Sequence, residues 1–145
     1  MTLTLRIVEP DNTIAWFAGD IKKFVEEKPE FNNYFDIIDE RTIKLKIDEI
    51  GIGREAKHIV LSTKEGSYFF RVISRRHAKI LKNKGKWFLS HEGRNKTIIT
   101  RKKGFFYKTE LKIEVVEGNP QELKKGDLIQ LGLEQAFIGF LVIST

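Results

Sequence analysis

Apolar and polar residues alternate from Leu3 to Val8, with Leu3, Leu5 and Ile7 on one face, and this predicts a β-strand. Pro10-Asp11-Asn12-Thr13 breaks the pattern, and from Ile14 the period changes. Ile14, Phe17, Ala18, Ile21, Phe24 and Val25 fall at helical spacing, with Asp20, Lys22, Lys23, Glu26 and Glu27 on the opposite face. Asn12 or Thr13 is placed to cap this helix. Pro29 ends it near Lys28, because the residue before a proline resists helical geometry. Residues 31–38 are rich in aromatics and asparagine and follow neither period. From Thr42 onward the chain reads as short strands. Ile43, Leu45 and Ile47 alternate cleanly, and Ile50-Gly51-Ile52-Gly53 approaches a turn. Further strands are predicted over 58–62, 68–72, 78–81, 86–90, 97–100, 111–116, 128–131 and 137–143, with turns such as Lys64-Glu65-Gly66 and Lys82-Asn83-Lys84-Gly85 between them. Strands at this spacing predict an antiparallel sandwich or barrel.

A chain of 145 residues is long enough to bury a core and is expected to form one domain over 1–145. Its 41% hydrophobic and 32% charged residues are an ordinary globular balance. No run approaches the ~20 apolar residues of a membrane helix. No basic stretch with an apolar signal core follows Met1, so the expected location is cytoplasmic, with no membrane partner. The absence of cysteine excludes disulfides, thiolate zinc sites and cysteine nucleophiles. With His58, His77 and His91 as the only histidines, neither a metal nor a cofactor is expected. The net charge of +6 favours anionic partners. The basic residues are nevertheless dispersed. The tightest groups are Arg75-Arg76, Arg101-Lys102-Lys103 and Lys124-Lys125, without the long stripe and interleaved aromatics of a dedicated nucleic-acid binder.

Three short polar motifs fall at the ends of predicted strands: Gly53-Arg54, Ser74-Arg75-Arg76-His77 and Asn95-Lys96-Thr97. Taken singly, Arg54 suits a surface ion pair, and Ser74 and Asn95 suit ordinary turns. The ordered set, completed by Leu123-Lys124-Lys125-Gly126-Asp127-Leu128-Ile129-Gln130-Leu131-Gly132, resembles the forkhead-associated (FHA) domain over roughly Thr42 to Ser144. The resemblance implies an all-β, antiparallel sandwich of about eleven strands, whose loops at one end bind phosphothreonine peptides without catalysis. It also implies a role for each motif. Arg54 would grip the phosphate through two parallel charge-assisted hydrogen bonds. Ser74 would donate its hydroxyl to a phosphate oxygen, and Asn95 would hold the main chain of the ligand. Gly53 would permit close backbone approach, and His77 would brace the binding loop. A reading of Ser74 and His77 as nucleophile and base lacks a carboxylate nearby in sequence to orient the imidazole.

Two departures from the family pattern stand out. The usual Asn-Gly is Asn95-Lys96 here, and lysine resists the positive φ that glycine accepts. The residue before the asparagine, commonly a small hydroxyl residue, is Arg94. With Arg75 this would make the pocket more cationic than usual, suited to doubly charged or acid-flanked ligands. The partners implied are Thr-phosphorylated proteins and, behind them, a Ser/Thr kinase.

The segment from about 10 to 40 lies outside the family pattern and reads as a helical, aromatic insertion. It holds Trp16, Phe17, Phe24, Phe31, Tyr34 and Phe35, six of the chain's 16 aromatics, too many to leave exposed. They are expected either to pack on the sandwich or to form an oligomer contact through residues 14–35. Phe105-Phe106-Tyr107 is expected to form a smaller satellite cluster. A rival reading keeps the scaffold but gives it a degenerate phosphate pocket. The protein would then associate with nucleic acid through Lys96 and Arg101-Lys102-Lys103, or serve as a structural oligomer.

Overall fold

The computed structural model describes residues 2–8, 25–26, 28–60, 73–103, 109–133 and 136–145. Twelve strands are present among them: β1 (Thr4–Val8), β2 (Phe35–Asp39), β3 (Thr42–Leu45), β4 (Glu49–Gly53), β5 (Ile59–Val60), β6 (Ala78–Asn83), β7 (Lys86–His91), β8 (Thr97–Lys103), β9 (Thr109–Val115), β10 (Gln121–Glu122), β11 (Leu128–Leu133) and β12 (Ala136–Ser144). They form a seven-stranded sheet in the order β2-β3-β1-β12-β11-β8-β9 and a five-stranded sheet in the order β10-β7-β6-β4-β5. Every pairing is antiparallel except the short parallel contact of β4 with β5. The expected all-β sandwich is therefore present.

Alternation along each strand explains why the two sheets stack. Leu3, Leu5 and Ile7 are buried while Arg6 between them is exposed. Register then extends each buried position across the sheet. Ile7 pairs with Phe140, Phe140 with Ile129, and Ile129 with Ile99, so one apolar row crosses β1, β12, β11 and β8. Ile50, Ile52, Ile80, Trp87 and Leu89 supply the facing layer from the five-stranded sheet, and all belong to a single buried cluster. Burying one such side chain contributes about 1.5–3 kcal/mol. A one-residue slip in any strand would turn its row to water, so the pattern also fixes register.

The helix expected over residues 14–28 lies mostly outside the described residues; Val25 and Glu26 have helical geometry. The described part of the segment is not a helical insertion reaching residue 40. It is a 3-10 turn over Pro29–Asn33, followed by β2, which pairs with β3 at the sheet edge. A turn of asparagines and a proline cannot propagate a helix, and Phe35 gains more by facing the core at strand spacing. Phe31 and Phe35 stack at 6.1 Å and are buried, and Tyr34 meets His58 edge to face at 4.8 Å. These three rings therefore pack within the chain rather than form an exposed docking face. Trp16, Phe17, Phe24, the strand expected over 68–72 and Phe105-Phe106-Tyr107 lie outside the described residues.

One polar contact sits inside this apolar frame. Asp127 is fully buried, and it accepts Nε–H and Nη2–H of Arg101 at 2.9 and 2.8 Å. It also accepts the backbone N–H of Lys124 at 2.8 Å, and Arg101 Nη2 donates to the Glu122 carbonyl. β8, β10 and the turn before β11 are thus tied through one carboxylate. Breaking a buried pair strands a charge and typically costs 3–5 kcal/mol, whereas an exposed pair is worth under about 1 kcal/mol. Asp127→Ala should lower stability in urea denaturation by about 3 kcal/mol. Glu114→Ala, which removes the exposed partner 3.6 Å from Lys96 Nζ, should change it by under about 1 kcal/mol. Equal effects would show that the buried carboxylate has no special role.

Candidate functional site

The register of the five-stranded sheet places the three polar motifs together. Ile52 pairs with Ala78 and Ala78 with His91, so these residues form the last rung at one end of β4, β6 and β7. Gly53-Arg54, the 74–77 loop and the 92–96 loop all leave the sheet just beyond that rung. Backbone bonds then zip the first two loops together. Arg54 N–H donates to the Ser74 carbonyl at 3.0 Å, Glu55 N–H to Arg75 at 2.9 Å, and His77 N–H to Ile52 at 2.9 Å.

Two glycines permit this approach. A Cβ on Gly53 would collide with the Arg75 carbonyl oxygen and lie 2.9 Å from His77 N. A Cβ on Gly93 would lie 2.5 Å from both Cβ and Oγ of Ser74. Gly93 has no counterpart among the residues singled out from the sequence. Its signal was weak, since a glycine in a Glu-Gly-Arg turn suggests only a turn.

His77 is fully buried and joins the remaining loop. Its Nδ1 accepts the backbone N–H of Ser74 at 3.1 Å, and its Nε2 meets the carbonyl of Lys96 at 2.8 Å. Those partners require the neutral tautomer with the proton on Nε2. Burial pushes the imidazole down to about 4, with His91 acting in the same direction and the Lys96 carbonyl opposing. Both ring nitrogens are occupied by backbone, so His77 is not a base for the Ser74 hydroxyl. Lys96 has no positive φ, so the loop accommodates lysine without the left-handed geometry that glycine would permit.

The loops enclose a groove of about 600 Å³ lined by Arg54, Ser74, Arg75, Arg76, Glu92, Gly93, Arg94 and Asn95. Every residue expected at the ligand from the sequence is in this lining, and Arg76 joins them. The Nε–H of Arg54 donates to the Ile73 carbonyl, which orients the guanidinium. Ser74 Oγ accepts from Asn95 N–H at 3.1 Å and from Asn95 Nδ2 at 3.2 Å. A hydroxyl has two lone pairs and one proton. Asn95 occupies the lone pairs, so the proton is directed away from it. The lining therefore combines guanidinium groups with an oriented hydroxyl donor, the chemistry that suits an oxyanion. Two of the four basic residues of the rival reading have carboxylate partners: Arg101 the buried Asp127, and Lys96 the exposed Glu114. Among the described residues, no group of His, Asp and Glu is arranged to hold a metal, and no helix is long and apolar enough to cross a membrane.

His77 also makes stability depend on pH. Its folded pKa of about 4 lies below the ordinary 6.5, so the unfolded chain binds the proton more tightly. The contribution is complete above about pH 6.5 and is lost as pH falls toward 4, by up to about 3 kcal/mol. Urea titrations from pH 7 to pH 4 should show this loss in the wild type in excess of that in His77→Gln. Parallel curves would rule out a buried neutral imidazole. Gly93→Ala should cost about 1–3 kcal/mol by overpacking, against a small change for Gly51→Ala, whose added Cβ meets nothing nearer than 3.8 Å.

The FHA domain family pattern matches residues 50–132, which includes all three loops. A similar solved structure is the solution structure of the FHA domain of an Arabidopsis thaliana hypothetical protein. It has 18% identity and a TM-score of 0.53, with 99% of this chain and 88% of that chain covered. No curated protein matches the chain. Domains of this family are in general phosphothreonine-binding interaction modules rather than enzymes. The family pattern extends over more than half of the residues, and the chain is a member of the FHA domain family.

Proposed function

We propose that this protein is a phosphothreonine-peptide binding module that mediates phosphorylation-dependent protein–protein interaction without catalysis. The observation that carries this reading is the convergence of Arg54, Ser74 and Asn95, from three separate loops, on one groove. In this reading Arg54 clamps the phosphate through parallel N–H bonds. The Ser74 hydroxyl, oriented by Asn95, donates to a further phosphate oxygen. Asn95 also holds the main chain of the ligand. Arg75 and Arg94 add positive charge at the rim, while Gly53 and His77 hold the loops in place. The partner is a protein phosphorylated on threonine by a Ser/Thr kinase. Engagement of Arg101 by the buried Asp127 disfavours the nucleic-acid reading.

The test is binding to a degenerate phosphothreonine peptide library, measured against the unphosphorylated library and duplex DNA. Binding should depend on the phosphate. Losing one partner of a desolvated charge pair costs ~2–5 kcal/mol, or about 30- to several thousand-fold in affinity. Arg54→Ala should therefore abolish detectable peptide binding while the circular dichroism spectrum stays that of a β-sandwich. Peptide binding indifferent to phosphate, or salt-sensitive DNA binding in its place, would overturn the reading.

A further inference from the structure

The groove contains more positive charge than one phosphate needs. Its three loops supply four arginines: Arg54, Arg75 with Arg76, and Arg94. Among the described residues, the one carboxylate in the lining is Glu92, and Lys79 Nζ already sits 3.4 Å from it and 3.0 Å from Glu49. Arg75 approaches Glu55 at 3.7 Å, but both side chains are largely exposed, and such a pair is weak. Among the described residues, Arg76 and Arg94 make no ion pair with a carboxylate. Leaving this much like charge together raises the energy of the empty groove, and an anion relieves it.

A phosphothreonine offers three acceptor oxygens and about two negative charges. The parallel bonds of Arg54 and the donor of Ser74 satisfy those oxygens in the reading above. Arg94 and Arg76 line the same groove from two different loops. Arg94 directly precedes Asn95. Arg76 lines both this groove and an adjoining one of about 360 Å³, where Lys57 and Lys79 stand among Glu49, Glu55 and Glu92, so the excess of positive charge lies in the first groove. An extended peptide advances about 3.4 Å per residue, so a side chain a few residues from the phosphothreonine is within reach of a groove that these two arginines line.

We infer that the preferred ligand carries a second anionic side chain, carboxylate or phosphate, within a few residues of the phosphothreonine, and that Arg76 and Arg94 select for it. This rests on the phosphothreonine reading. Fluorescence anisotropy with four peptides of equal length tests it: unphosphorylated, phosphothreonine with neutral neighbours, the same with Asp and Glu neighbours, and the same with a second phosphoresidue. Two exposed or half-exposed ion pairs predict a preference of roughly tenfold for the peptides with extra charge, shrinking at high salt. A gain for the acidic peptide identifies a carboxylate as sufficient, and a gain for the doubly phosphorylated peptide alone identifies a phosphate; both support the inference.

In R76A/R94A, folded by circular dichroism, the affinity ratio between charged and neutral phosphopeptides should fall to about one. A wild-type ratio of one, or a ratio unchanged in R76A/R94A, overturns the inference while leaving the phosphothreonine reading intact. Loss of all phosphate dependence in the wild type overturns both.

Discussion

A neutral imidazole in the protein interior holds the loops at one end of the sandwich together. His77 takes a backbone proton from Ser74 and gives one to the Lys96 carbonyl, so one ring joins the second loop to the third. Its own N–H and carbonyl extend the network, the first to Ile52 and the second to Glu92 and Gly93. A ring with two different backbone partners tolerates one tautomer and one protonation state. Burial enforces that state, because a charged imidazole would lose its hydration without a carboxylate to replace it. Ser74 is consequently fixed at its backbone by His77 and at its hydroxyl by Asn95. A hydroxyl held in this way loses little freedom when it meets a ligand, which lowers the cost of binding.

The loops can converge because of what is missing from two residues. Gly53 and Gly93 sit where a single methyl group would meet backbone or Ser74. Bulk excluded at those points brings the arginines of all three loops to one groove. The far part of the sandwich is organised differently. There Arg101 is consumed by the buried Asp127, and the Gly-Asp of the last strand motif acts as a structural anchor. One residue type therefore serves two purposes, and burial beside a carboxylate separates them. Four lysines are paired at the surface, in Lys46–Asp36, Lys79–Glu49, Lys86–Glu122 and Lys96–Glu114. Among the described residues, four arginines and one carboxylate line the groove, so part of the net charge of +6 is concentrated there.

Period-two alternation in Leu3–Val8 and over Ile43, Leu45 and Ile47 made those strands legible, because their apolar positions face the core and the residues between them are more exposed. The segment after Pro29 was not legible in this way. Phe35–Asp39 is an edge strand whose state depends on hairpin pairing with β3 and on the stacking of Phe31 with Phe35, neither of which shows in the hydrophobic period of the segment.

The sequence by itself determined the all-β class, the family, and the residue types of the candidate site: Arg54, Ser74, His77 and Asn95 in order at strand ends. Hydrophobic periodicity and ordered polar motifs are local properties, and local properties survive in a string of letters. Tertiary structure decided which polar residues meet. Arg76 joins the groove while Arg101 is tied to Asp127, and Lys96 keeps an ordinary backbone where glycine was expected. Gly93 matters through a neighbour nineteen positions away, Ser74. Those outcomes follow from sheet register and the burial it imposes, and register is a relation between strands that no single segment encodes.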